Sequence, residues 1–395
     1  MNKTSQSPVE IVAIYFPSWH VNDHYRAWYG ENFCEWELVK SARPIYPGHH
    51  QPKIPSWGYF DESNPEWSSR EIDLAANHGI NVFLFDWYWY NGVRIMEEAL
   101  EKGFLCAPNR KRMKFTIMWA NHNWGSWPAI TGIPGMGKSG IWLPIHHSAK
   151  DCDRVIDYCC AHYFSESNYW LVDGKPVFAI YDMATFSLQL GGNIRVKETL
   201  ERMNERAVKN GFPGVYFIAN VGCCDDNVYC CGWNRVHDAG EMGFKCVFAY
   251  NIVRTPEYET LPEDLPIVQY EDVIQSHLYA WGQIEKDGLP HYPVVTSGCD
   301  VTPRWHRGIK LPMDFRSWSY EPIIVNNTPE KFGYLCSLAL RQTQKNPPGH
   351  RAVFINAWNE WTEGMYLLPE KRYGTAYLES LRNAIISETV GKRKI

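Results

Sequence analysis

No stretch of the chain reaches the ~20 apolar residues that a membrane-crossing helix needs. Met1 to Glu10 is polar and lacks the apolar core of an export signal. The chain as it stands is therefore expected in the cytoplasm, and outside it only if a leader has been removed. Long blocks of one charge are also missing. With 39 basic and 44 acidic residues the formal charge is −5, which argues against nucleic acid or another polyanion as partner. The loop Gly132 to Gly140 spells both GxxxxGK[ST] and GxGxxG, but it joins no expected strand to an expected helix, so no nucleotide cradle and no cofactor are expected. Repeats, low-complexity tracts and linkers are lacking too. Cysteine is sparse for 395 residues: there are twelve, and Cys159, Cys246 and Cys336 lie in apolar runs, which reads as free thiols in a reducing cell. The cluster Cys223, Cys224, Cys230 and Cys231, with His237, lacks the Cys-x-x-Cys spacing of structural zinc sites, so no metal is expected.

What the chain has in excess is aromatic residues. The 18 Trp, 23 Tyr and 17 Phe exceed what a core of this size requires, so some must line a surface or cleft. Short β-rich runs alternate with helical segments. Strands are expected at Ile11 to Phe16, Ile80 to Phe85, Phe115 to Trp119, Val177 to Tyr181, Val215 to Ala219, Cys246 to Ala249, Pro293 to Thr296 and Val353 to Asn356. Helices are expected at Pro65 to His78, Ala149 to Phe164, Ile194 to Asn210 and Pro329 to Gln344. Eight parallel strands with helical crossovers favour the α/β class, as a single closed (β/α)8 TIM barrel with long loops at the C-terminal face of the strands. The barrel is assigned to residues 11–385, with a disordered or tag-like segment over 1–10 and a tail over 386–395.

In such a barrel chemistry gathers beyond the C-terminal strand ends. The last strand runs into Asn356-Ala357-Trp358-Asn359-Glu360-Trp361-Thr362-Glu363-Gly364, which sets two carboxylates three positions apart among indoles and amides. Glu360 and Glu363 are the candidate acid–base pair; the competing reading is two surface glutamates capping a helix. Aromatic rings beside amides and carboxylates suit a polyhydroxylated ligand. The candidate substrate contacts are Tyr15, His50, Asp86, Trp87, Trp119, Asn121, Asn123, Trp124, Tyr250, Asp300, Trp305, Trp358 and Asn359, with His122 also weighed. Asp300 and Arg304 are expected to form an ion pair bracing the seventh loop. Two insertions are expected over the mouth: His20 to Asn64 as a cleft wall, and the glycine-rich Asn123 to His147 as a lid.

Four stretches carry a family resemblance: Phe33-Cys34-Glu35-Trp36, Tyr46-Pro47-Gly48-His49-His50-Gln51-Pro52, Trp119-Ala120-Asn121-His122-Asn123-Trp124 and Asn356 to Gly364. Together they resemble the WbsX-type family, labelled glycosyltransferase from its place in polysaccharide clusters and related to glycoside hydrolase family 99. The likeness runs from about Ile11 to about Leu381. It implies a (β/α)8 barrel and a retaining, α-mannoside-type endohydrolase. Carried over residue by residue, Glu360 would be the base assisting the sugar 2-hydroxyl and Glu363 the acid/base. Thr362 stands where family 99 typically has His. Two other classes stay open. One is a glycosyltransferase using a nucleotide sugar, for which Asp225-Asp226 is the obvious acidic doublet; the other is a non-catalytic carbohydrate-binding barrel, against which the acid pair counts.

Overall fold

The computed structural model describes residues 9–125, 141–221, 236–253, 267–304 and 322–390. Eight strand positions form the central sheet: β1 (Glu10–Tyr15), β2 (Val82–Tyr90), β3 (Lys114–Trp119), β4 (Lys175–Ile180), β5 (Tyr216–Asn220), β6 (Cys246–Phe248), β7 and β8 (Ala352–Asn356). Strand β7 comes in two pieces, His291–Tyr292 and Val294–Thr296, on either side of Pro293, which has no N–H to give a sheet. The first piece pairs with β6 and the second with β8, so this break closes the cylinder. Every neighbouring pair around it is parallel, from Ile11 beside Val353 and Ile14 beside Leu84 to Val247 beside His291.

Both faces of these strands are covered. After Glu10 every residue of β1 is buried, as are all of β2 and β8; continuous β-branched and aromatic runs are what parallel strands under a helical layer require. The outer layer includes α1 (Pro65–Asn77), α2 (Ala149–His162), α3 (Asn193–Lys209), α4 (Val236–Met242), α5 (Tyr270–Ile284), α6 (Pro329–Gln342) and α7 (Ala376–Val390). The starts of three are written in the sequence. Asn64, Ser148 and Thr328 each accept a backbone N–H from the first turn that follows, and α1 and α6 begin with proline. The four expected helices therefore lie within two residues of their assigned ends. Helix α7 continues to Val390, across the boundary drawn at residue 385. No helix of the described residues is long and apolar enough to cross a membrane.

The eight described cysteines are free thiols, seven of them buried. Cys223, Cys224, Cys230 and Cys231, Asp225-Asp226, Trp305 and most of the glycine-rich loop lie outside the described residues.

Candidate active site

Beyond β8 the chain makes a tight structure. Asn359–Glu360 pairs antiparallel with Met365–Tyr366 around one turn of 3-10 helix, Trp361–Glu363. Trp361 is fully buried and stacks on Tyr366 at 4.0 Å, which fixes the turn from below. Gly364 closes it at φ 69°, and Asp300 N donates to Glu363 O at 2.6 Å. A Cβ at position 364 would sit 2.8 Å from both Asp300 N and Asp300 Cβ. Gly364→Ala is thus expected to lose stability beyond the about 1–2 kcal/mol of a left-handed alanine, and to move Glu363. Denaturant unfolding beside a binding titration checks both.

Four charged groups meet at this turn. Arg304, in the short helix Thr302–Arg304 after β7, is 3% exposed. Its Nη1 pairs with Glu363 Oε1, while Nη2 lies 3.3 Å from Glu35 Oε2 and 3.5 Å from Glu360 Oε1. Glu35 arrives from the insertion after β1 and is wholly buried. Ser18 Oγ donates to it at 3.1 Å, and Thr362 Oγ1 at 2.5 Å. Thr362 thereby locks the insertion to the turn after β8. One guanidinium faces three carboxyls, so the group cannot hold three negative charges cheaply. Burial raises the Glu360 pKa well above the ordinary carboxylate range, and the Glu363 charge raises it further, while Arg304 opposes. Glu360 Oε2 is buried with no hydrogen-bond partner among the described residues.

Asp86 extends the site from β2. Burial pushes its pKa well up and Glu363 adds to this, against a hydrogen bond donated by Tyr250 OH at 3.3 Å. Its Oδ1 is buried with no hydrogen-bond partner among the described residues. A band of rings continues the wall. Tyr88 meets Trp124 edge-on at 5.2 Å and His122 at 5.9 Å, His122 meets Tyr181 at 5.7 Å, and Tyr181 meets Tyr250 at 5.3 Å.

The structure thus brings Glu360, Glu363, Asp86, Tyr250 and Trp124 together. Other expected contacts point elsewhere. Tyr15 OH and Trp358 Nε1 both donate to Glu71, each at 3.0 Å, and Trp358 is 0% exposed. Trp87 lies against α2, with Nε1 donating to Tyr163 OH at 3.2 Å, and Trp119 is 0% exposed with Nε1 on Trp89 O. These four rings are packing, not subsite platforms. The physical reason is the two-residue period of a strand: Asp86 and Tyr88 face the barrel mouth, which sends Trp87 outward.

Asparagines serve as clamps between strand ends. Asn359 accepts from Phe16 N at 2.8 Å and donates to Phe16 O at 2.9 Å. Asn121 does the same with Asp182 N and O, at 2.7 and 2.9 Å. Both amides are occupied by backbone. Exposed Asn123 holds Ile145 N at 2.8 Å. Asp300 and Arg304 do not pair as expected: Arg304 turns to the glutamates, and Asp300 is held by His49 Nε2 at 2.9 Å, Gln51 Nε2 at 2.7 Å and Thr302 Oγ1 at 2.6 Å. His50 and Asp300 line a neighbouring cleft. Sequence reasoning placed Tyr88 and Tyr181 at the strand ends without singling them out as contacts, missed Glu35 as a residue of this cluster, and gave Arg304 the wrong partner. For Tyr88 the period-two alternation starting at Asp86 was the available signal.

Fold and site together define a (β/α)-barrel protein with a buried carboxyl cluster at its C-terminal mouth. The chain belongs to the family described as glycosyltransferase WbsX, matched over residues 11–381. Among curated proteins it is similar to the uncharacterized protein WxcX of Xanthomonas campestris pv. campestris strain B100, at 26% identity over 389 residues. That alignment covers 96% of this chain and 50% of the relative, so the chain spans about half the length of the curated relatives it matches. Among solved structures it is similar to the family 99 endo-alpha-mannosidase of Bacteroides thetaiotaomicron, with a TM-score of 0.58 at 14% identity over 98% of this chain and 99% of that one. A glycoside hydrolase-like protein gives 0.56 at 15% identity, covering 98% and 96%. At such identities the likeness speaks for the fold.

Proposed function

We propose that this chain is a glycoside hydrolase acting on an α-linked oligosaccharide or polysaccharide, with mannose-type glycans the first to test. The observation that carries the reading is the pair Glu360 and Glu363 sharing one guanidinium at the mouth of the barrel, with the Glu360 pKa raised by burial and by the Glu363 charge. Glycosidic cleavage needs one carboxyl that gives a proton to the departing oxygen and one that takes a proton from a nucleophile. Glu363 is the more accessible of the two, its side chain 14% exposed against 4% for Glu360, so it is the one able to meet a leaving oxygen and then water. In the roles implied by the family 99 resemblance, Glu363 gives its proton to the leaving oxygen and Glu360 is the base toward a sugar hydroxyl. Asp86 and the ring band from Tyr88 to Tyr250 hold the sugar.

A second reading is favoured by the family's description as a glycosyltransferase. It requires a site for a nucleoside diphosphate. Calorimetric titration with free α-linked oligosaccharides and with nucleotide sugars separates the two: the hydrolase reading expects heat from oligosaccharides alone, and tight binding of nucleotide sugars alone would replace it with the transferase.

A further inference from the structure

Beside the Glu363 turn lies a second concavity of about 310 Å3. Its walls come from the insertion after β1 (His50, Lys53), the loop after β7 (Asp300) and the segment after β8 (Gly364, Glu370, Arg372), so it opens at the barrel face that carries the acid pair.

The charges in this cleft are unevenly satisfied. Asp300 accepts from His49, Gln51 and Thr302, and Glu370 accepts from the backbone N–H of Arg372 at 2.8 Å and of Tyr373 at 2.5 Å. Both carboxylates are thus held by fixed protein donors. The cations are not. Among the described residues no carboxylate oxygen lies within 4 Å of Lys53 Nζ, whose hydrogen bond goes to His50 Nδ1 at 3.3 Å. Burial, and then the Lys53 charge, lower the His50 pKa to about 4, so its ring is neutral and its Nδ1 is the acceptor. His50 Nε2 therefore carries a hydrogen, and at 3.8 Å from Glu370 Oε2 that hydrogen lacks a proper acceptor there. Arg372 lies over the Tyr373 ring at 5.1 Å and likewise has no described carboxylate within 4 Å. Lys53 is half-buried, and Asp300 and Glu370 act on its charge from beyond 4 Å. Two cations with no described carboxylate in contact and one imidazole N–H facing a cleft make a donor set for an anion.

We propose that this cleft holds the carboxylate or phosphate substituent of an acidic glycan whose neighbouring sugar lies at Glu360 and Glu363. Lys53 and Arg372 supply the charge and His50 Nε2–H a directed donor. The proposal rests on the glycan-cleaving reading and narrows its substrate to charged polysaccharide. Gly364 forms part of the cleft wall immediately after Glu363, which makes the two sites adjacent.

The test is calorimetric titration of the full chain, Lys53→Met and Arg372→Gln with four probes: a uronate-bearing α-linked oligosaccharide, its carboxyl-reduced counterpart, free glucuronate and inorganic phosphate. The charged oligosaccharide should bind about tenfold or more tighter than the reduced one, as one charge-assisted contact provides. That preference should shrink with salt, vanish in Lys53→Met and weaken in Arg372→Gln, whose exposed position leaves folding undisturbed. Competition by glucuronate alone marks a carboxylate sugar; competition by phosphate alone marks a phosphorylated one. Equal binding of the charged and reduced forms, or a preference that survives in both variants, overturns the proposal and leaves the glycan reading standing. Lys53-dependent binding of the free anions without binding of either oligosaccharide keeps the anion site and removes the glycan reading. Silence from all four probes removes both.

Discussion

Arg304→Met is expected to lower stability by about 3–5 kcal/mol, the cost of leaving a buried charge uncompensated. It should also abolish activity. The guanidinium is the cation that Glu35, Glu360 and Glu363 share, and Glu35 is wholly buried. Lysine is a poor substitute, because a point charge cannot reach three carboxyls from one position. The sign of the pH effect follows. Arg304 opposes the rise of the Glu360 pKa, so without it that pKa climbs further above its unfolded value; the variant is destabilised above the carboxylate range and regains stability as pH falls toward it. Denaturant unfolding at several pH values, with Arg304→Met combined with Glu35→Gln, measures this. Partial recovery in the double variant is the expected result; an unshifted midpoint in Arg304→Met would mean that the cluster carries no structural load.

The second large effect is on rate. Glu360→Gln and Glu363→Gln should each lower kcat by about 10²–10⁴-fold, the usual contribution of a positioned acid or base. Neither should lower the melting temperature. Each amide keeps the shape of the carboxyl it replaces, and burial already disfavours the charged form of Glu360. The two variants should then part company on an aryl glycoside whose leaving group departs without a proton. Glu363→Gln is expected to regain bond cleavage on that substrate, because only the acid has been lost, and Glu360→Gln to stay inactive. Recovery by Glu360→Gln instead would show that the two roles are reversed.

Much of the barrel is legible in the chain because its signals are local. Eight apolar runs, the caps Asn64, Ser148 and Thr328, and prolines at two helix starts need no knowledge of distant partners. The acid pair is legible for the same reason, since Asn359 to Gly364 is contiguous. What a residue at a strand end does is another matter. Trp87 and Asp86 are neighbours, yet one packs on α2 and the other faces Tyr250, and only the phase of the strand tells them apart. Asn121 and Asn359 look like sugar-binding amides until the register of the adjacent strand shows the backbone groups they bridge. Glu35 lies 269 positions from Arg304, and nothing near it in sequence marks it as a partner.

The most direct measurement is release of new reducing ends, with the product anomer followed by NMR, when wild type, Glu360→Gln and Glu363→Gln are incubated with a panel of neutral and acidic α-linked oligosaccharides. The account predicts cleavage with retention by wild type and loss in both variants at unchanged melting temperature. Undiminished cleavage by either variant, or no cleavage by wild type alongside tight binding of a nucleotide sugar, would contradict it.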